Sequence, residues 1–183
     1  MPKSVLLTGS QGFIGSYIAK ELLEHDYTVI GVDNFSKYGK VIRSHDKHKN
    51  FIFVESDCSK SSFLEDMAKF DFDYIIAGAA MIGGISYFHK FAYDLLSTNE
   101  KIISNTFDLA LERYKKNQLQ KILVLSSSMV YENVSNWPTK ENDLESCPPP
   151  SSTYGFQKLA CEYFAKGAFE QHNLPYTIVR PFN

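Results

Sequence analysis

Apolar positions along this chain follow two alternating rhythms. Short runs rich in aliphatic and β-branched residues, Ser4 to Leu7, Thr28 to Asp33, Phe51 to Glu55, Tyr74 to Ala77, Lys121 to Leu125 and Thr177 to Arg180, have the length and character of buried strands. Between them the spacing becomes helical. Phe13, Ile14, Ile18, Leu22 and Leu23 give one apolar face to a segment that starts near Gly12 and ends at about His25. Ser61 to Phe70 predicts a short helix with Ser61 or Ser62 as N-cap. Ile102, Ile103, Phe107, Leu109, Ala110 and Leu111 mark a longer helix from about Leu96 to Lys116. The loop beyond the fifth strand carries Trp137-Pro138 and the triple proline Pro148-Pro149-Pro150, which forbids helix until Ser151 or Ser152 caps a last one, from Thr153 to about Glu170. Strands alternating with helices over the whole length predict an α/β domain with a parallel, doubly wound sheet.

The stretch Thr8-Gly9-Ser10-Gln11-Gly12-Phe13-Ile14-Gly15 stands where the first strand gives way to the first helix. Gly9, Gly12 and Gly15 suit three tasks there: a tight turn, close approach of a pyrophosphate to the backbone, and packing of helix on strand. The helix start would aim unpaired N–H groups and the positive end of its dipole at an anion over the turn. With strand before, helix after and an acid ending the next strand, a Rossmann dinucleotide site is the reading this context supports. An ordinary structural turn is the plainer one. Asp33 ends the second strand, where its carboxylate can accept hydrogen bonds from adenosine ribose hydroxyls. A 2′-phosphate would meet like charge there, which favours NAD over NADP, while Lys37, Lys40 and Arg43 in the following loop soften the preference. Asp33 can equally form a turn. Asp57, at the end of the third strand, reads either as a contact for the adenine amino group or as a cap for the next helix. Gly78 to Gly84 offers room for a ligand on the backbone, or is a flexible loop.

Bulk properties narrow the partners. With 183 residues the chain fits one domain, and 19 basic against 21 acidic residues leave a net charge of −2, with no footprint for nucleic acid or an anionic membrane. A small molecule is the expected partner. No run is long enough to span a bilayer and no signal-peptide core follows Lys3, so the expected location is the cytoplasm. Cys58, Cys147 and Cys161 are odd in number and far apart, which argues for reduced thiols. The five histidines form no ligand spacing with them; no metal is expected, and His45 and His48 read as part of a solvated basic loop.

Tyr154 and Lys158 are four apart at the start of a helix and so share a face. An ammonium close to a phenol favours phenolate, and such a tyrosine can take a proton from a substrate hydroxyl while the carbon beneath gives hydride to a cofactor. Alone, this spacing marks an ordinary helix surface. Ser126-Ser127-Ser128 ends the fifth strand on the ligand edge of the sheet, where a hydroxyl can hydrogen-bond the reacting oxygen, or simply terminates the strand.

Taken in order, Thr8-Gly9-x-x-Gly12-Phe13-Ile14-Gly15, Val32-Asp33-Asn34-Phe35-Ser36, Asp57, Ala79-Ala80, Asn99, Ser126-Ser127-Ser128-x-Val130-Tyr131, Tyr154-Gly155-x-x-Lys158 and Arg180-Pro181-Phe182-Asn183 resemble the extended short-chain dehydrogenase/reductases, the nucleotide-sugar epimerase and dehydratase group. The resemblance covers essentially the whole chain. It implies NAD held by Gly9, Gln11, Gly12, Phe13, Ile14 and Gly15, by Asp33 and Asn34, by Asp57 and Cys58, and by Ala79, Ala80 and Asn99. It also implies Lys158 on the nicotinamide ribose, Tyr154 as catalytic acid/base and Ser127 assisting. Ser128 and Asn183 fall to the sugar nucleotide, Asn183 at its diphosphate.

There are departures. Sugar 4,6-dehydratases place a glutamate where Met129 stands, and methionine carries no proton, which disfavours dehydration. The Met81-Ile82-Gly83-Gly84-Ile85 stretch resembles the plant-type GDP-mannose epimerases and GDP-fucose synthases, but these have a cysteine at that same place. Epimerisation by oxidation, rotation and reduction needs only the serine, tyrosine and lysine. A sugar-nucleotide reductase and a non-catalytic NAD-binding regulatory module are the alternatives. The family usually continues for more than a hundred residues past the Arg180-Pro181-Phe182-Asn183 position, so residues 1–183 read as an NAD-binding domain truncated before the last strand and the substrate-binding domain. Phe156, Leu159, Tyr163 and Phe164 give the last helix more apolar surface than one sheet face needs, and by resemblance the two long helices form a four-helix homodimer interface.

Overall fold

A computed structural model describes residues 3–182. Six strands, β1 (Ser4–Thr8), β2 (Thr28–Asp33), β3 (Phe51–Glu55), β4 (Tyr74–Ala77), β5 (Lys121–Leu125) and β6 (Tyr176–Val179), form one sheet in the order β3-β2-β1-β4-β5-β6. Every neighbouring pair is parallel. The order reverses at β1, the switch point at which an open sheet of this type forms its ligand crevice. The expected doubly wound α/β architecture is therefore the observed one.

Period-two alternation divides the core. Leu6, Ile30 and Ile75 face one side, packed with Phe63, Met67, Ile103, Phe107 and Ala165 from α2 (Ser62–Met67), α4 (Ala92–Lys115) and α5 (Thr153–His172). Leu7 and Val29 face the other, where α1 (Phe13–Glu24) supplies Ala19 and Leu23. Cover is unequal. Leu123 and Leu125 of β5 are only partly buried, and Val179 on β6 is 37% exposed.

Several boundaries differ from the sequence expectation. α2 ends at Met67, and Ser61 takes helical angles itself, so no side-chain cap forms. A short helix α3 (Ile85–Lys90) follows Gly84, and α4 starts at Ala92 rather than Leu96, because no proline or glycine interrupts the chain from Ile85 onward. Two 3-10 turns, Ser128–Tyr131 and Glu141–Glu145, occupy what read as loop. Ser152 does cap α5, its hydroxyl accepting from the Gly155 N–H at 3.0 Å.

The first turn explains two of its glycines by packing alone. Gly9 has φ +76°, and a Cβ there would sit 2.9 Å from the Ala79 Cα. A Cβ on Gly15 would lie 2.0 Å from the Gly9 carbonyl oxygen, so α1 can rest on the turn only without one. Gly167, exposed in the middle of α5, meets nothing within 4 Å. Opposite signs are therefore expected in urea unfolding. Gly15→Ala lowers stability by about 1–3 kcal/mol through overpacking, and Gly167→Ala raises it by about 0.5–1 kcal/mol through helix propensity and lost unfolded-state entropy.

Candidate functional site

The carboxyl ends of β1, β2, β4 and β5 bring most of the expected residues to one edge. β1 delivers Thr8, fully buried, whose Oγ1 accepts from the N–H groups of Gly78 and Ala79 at 3.1 Å each. This ties the glycine turn to the loop after β4. α1 opens with Gly12 as N-cap and no side chain on its first-turn N–H groups. An uncapped start to a twelve-residue helix leaves those amides and the positive dipole end to an outside anion. Phe13 and Ile14 flank it, 64% and 48% exposed. The turn thus fits a dinucleotide pyrophosphate.

Asp33 sits beside it. One carboxylate oxygen accepts from the Gln11 N–H at 3.0 Å and the other from the Phe35 N–H at 2.8 Å. The basic residues of the following loop are engaged elsewhere: Lys37 Nζ donates to the Ile82 carbonyl at 2.9 Å, Lys40 Nζ pairs with Glu55 at 2.8 Å, and Arg43 donates to the Gln11 carbonyl through Nε at 3.1 Å and Nη2 at 2.6 Å. His45 is not solvated surface. It is 3% exposed, edge-on to Phe51 at 4.5 Å, and burial pulls its pKa below the ordinary value against the pull of Asp46. Nothing in its polar neighbours along the chain signalled that an aromatic partner in β3 would draw it in.

Asp57 accepts from the Ser59 N–H at 2.9 Å and hydroxyl at 2.7 Å, which makes it at least a turn former. Burial raises its pKa, but the bonds from Ser59 and Asn34 and the Lys60 charge outweigh that and hold it below the usual carboxylate range. The Cys58 thiol is buried and pushed up to about 12, while its carbonyl accepts from Asn105 Nδ2 at 2.8 Å. Asn99 is buried and clamps Met81, accepting from its N–H at 2.6 Å and donating to its carbonyl at 2.9 Å. It thereby fixes the loop that carries Ala79 and Ala80.

On the other side of the switch point, Ser127 caps the 3-10 turn, its Oγ accepting from the Met129 N–H at 3.2 Å. A Cβ on Gly155 would lie 2.8 Å from the Met129 carbonyl oxygen, so the start of α5, with Tyr154, abuts this turn directly. Lys158 Nζ is 6.0 Å from the centre of the Tyr154 ring and donates to the Leu125 carbonyl at 2.8 Å. Burial pulls the lysine pKa below its ordinary value. Ser127, Ser128, Tyr154 and Lys158 are therefore neighbours at the end of β5. Asn183 lies outside the described residues.

One group of residues had no assigned role in the sequence. Glu162, fully buried on α5, accepts from Ser126 Oγ at 2.6 Å and from Arg180 Nε and Nη2 at 2.8 Å each. Arg180 Nη1 also bonds the Tyr131 hydroxyl. This fork joins α5, the end of β5, the 3-10 turn and the segment after β6, and so holds both flanks of Ser127. Its signal was present: Glu162 is one helical turn beyond Lys158, on a face that had to be buried. A cavity of about 690 Å³ opens beside it, bordered by Tyr131, Glu141, Leu159, Arg180 and Phe182 and by none of the glycine-turn residues. Among the described residues no cluster of His, Cys, Asp and Glu could hold a metal ion, and no helix is long and apolar enough to cross a membrane.

Comparison with known proteins gives a consistent result. Residues 5–183 match the model of a family described as the NAD dependent epimerase/dehydratase family. A UDP-N-acetylglucosamine 4-epimerase from Methanobrevibacter ruminantium, solved with UDP-N-acetylmuramic acid, superposes with a TM-score of 0.84 at 28% identity, over 100% of this chain and 55% of that one. A UDP-glucose 4-epimerase from Brucella ovis, solved with NAD, gives 0.83 at 25% identity over 99% and 52%. Protein CapI of Staphylococcus aureus is 29% identical over 186 residues, 97% of this chain and 53% of CapI. The chain spans about half the length of the curated relatives it matches.

Two measurements check this geometry. Glu162→Ala takes the carboxylate from the partly exposed Arg180 guanidinium and the acceptor from the buried Ser126 hydroxyl, and should cost about 1–3 kcal/mol in urea unfolding. For His45 the unfolded chain takes up a proton near pH 6.5, whereas the folded chain resists until lower pH. Stability therefore falls as the pH drops below about 6.5. His45→Phe, which keeps the apolar edge contact with Phe51, should flatten that acid limb in melting curves taken from pH 7 to 5.

Proposed function

The chain belongs to the NAD dependent epimerase/dehydratase family, and from that premise we propose that it is the NAD-binding domain of a nucleotide-sugar epimerase. The observation that carries this reading is the abutment of α5 on the 3-10 turn. It joins Tyr154, Lys158 and Ser127 at the strand edge that also holds the uncapped glycine turn. Bound NAD supplies a hydride acceptor that later returns the hydride. Tyr154 takes the proton from the sugar hydroxyl and gives it back in the reverse step. Ser127 donates a hydrogen bond to the reacting oxygen. Lys158, anchored on the Leu125 carbonyl, orients the nicotinamide ribose and places positive charge near the phenol.

NAD is the proposed coenzyme. Asp33 opposes a 2′-phosphate, and Lys37, Lys40 and Arg43 are all engaged with the protein. Met129 in place of an acid favours epimerisation over dehydration. A homodimer is proposed through α4 and α5. Between them a groove of about 640 Å³ is lined by Phe107, Leu111, Phe156, Leu159, Tyr163 and Phe164, with Phe156 49% and Tyr163 65% exposed.

The test is incubation of the whole enzyme, of which this chain is proposed to be the NAD-binding domain, with NAD and a panel of UDP-, GDP-, CDP- and dTDP-sugars. The expected product is an epimer, with no net accumulation of NADH. Tyr154→Phe should retain NADH binding and lose turnover by about 10²–10⁴-fold. If NADH binds but no sugar is converted, the epimerase reading fails and a coenzyme-binding module remains. In sedimentation, Phe156→Arg should shift a dimer toward monomer.

A further inference from the structure

Loop 34–50 is joined to the glycine turn through Gln11. We propose that Arg43 is a positioning residue for the coenzyme: it holds the Gln11 peptide, and through it the shape of the turn and the seat of Asp33, without touching the coenzyme itself. The assignment rests on the NAD-binding reading above.

Gln11 is 5% exposed and stands between Gly9 and Gly12. Its N–H goes to Asp33, its carbonyl receives both Arg43 donors, and its Nε2 donates to Asp46 Oδ1 at 2.9 Å. Asp46 closes the ring, its Oδ2 accepting from the Arg43 N–H at 2.7 Å. The next peptide group is held at its other end as well, since the Gly12 N–H donates to the Gly9 carbonyl at 3.1 Å. The plane of the Gln11–Gly12 peptide is thus fixed from both sides, immediately before the uncapped start of α1. The ring is also anchored in the sheet: His45 lies 3.6 Å from Asp46 and against Phe51, whose ring fills the space where a Gly31 side chain would be.

This geometry is kept although Ser10 Oγ, Gln11 Oε1 and both ring nitrogens of His45 are buried without hydrogen-bond partners among the described residues. Each such group forfeits hydration that it does not recover, and a concentration of them beside one turn calls for a functional reason. The competing role, a guanidinium reaching a 2′-phosphate, would require Arg43 to release the Gln11 carbonyl.

The two roles separate in binding. NADH and NADPH affinities are measured by fluorescence at several salt concentrations for the wild type, Arg43→Met, Arg43→Lys, Asp46→Ala and the Met/Ala double variant, alongside melting of the coenzyme-free proteins. A positioning role predicts that Arg43→Met weakens NADH and NADPH by the same factor, about tenfold. It also predicts an unchanged slope against salt, partial recovery in Arg43→Lys, and a double variant no weaker than the weaker single one. A selective loss of NADPH or a shallower salt slope overturns it in favour of a direct phosphate contact. Additive effects overturn it as well. So do lower melting points with unaltered affinities, which would reduce Arg43 to a structural tie. A wild type that binds neither dinucleotide overturns the coenzyme reading itself and this assignment with it; variants that match a binding wild type overturn only Arg43.

Discussion

The structure depends on how closely three backbone segments meet at the carboxyl end of β1. Gly9 rests against Ala79, Gly15 rests on the Gly9 carbonyl, and the buried Thr8 hydroxyl takes the N–H groups of Gly78 and Ala79. None of these contacts tolerates an added side chain, so the turn, the start of α1 and the loop after β4 form one rigid unit. The crevice at the switch point is a by-product of that closeness. Backbone amides are left on its rim because the N-cap residue of α1, Gly12, has no side chain to accept from them.

Much of this was legible before any coordinates. Strand runs bounded by turn residues and helical apolar spacing gave the six strands within a residue at their ends, because a buried strand in a parallel sheet must be apolar on both faces. Glycine spacing marked the turn for the same steric reason the structure displays. What escaped depends on pairing over long distances. The burial of His45 needs Phe51 and Gly31, and the engagement of Lys37, Lys40 and Arg43 needs partners at Ile82, Glu55 and Gln11. Residue type alone left those three cations facing a phosphate. Asn99 likewise showed its position but not its task, which is to hold Met81.

On the β5 side of the switch point the chain accepts buried charge. Glu162 has no contact with solvent and Lys158 almost none, an arrangement that hydrophobic residues of similar size would often match in stability. What the charges provide is direction. A guanidinium fork has one good way to meet a carboxylate, so Arg180 and Glu162 set the angle between α5 and the segment after β6 more sharply than packing of aliphatic groups does. Lys158 fixes the Leu125 carbonyl one peptide before the serine run.

The unequal cover of the sheet has its own consequence. Where α2, α4 and α5 shield one side, α1 alone shields the other, leaving Leu123, Leu125 and Val179 half-bare beside β6, a strand with a single neighbour. Such a border offers both an oily plane and a row of unsatisfied peptide groups, the two ingredients of strand-to-strand adhesion. Among the described residues this margin, at the far end of the sheet from β3, is therefore where another strand, from the same chain or from a neighbour, would add most readily.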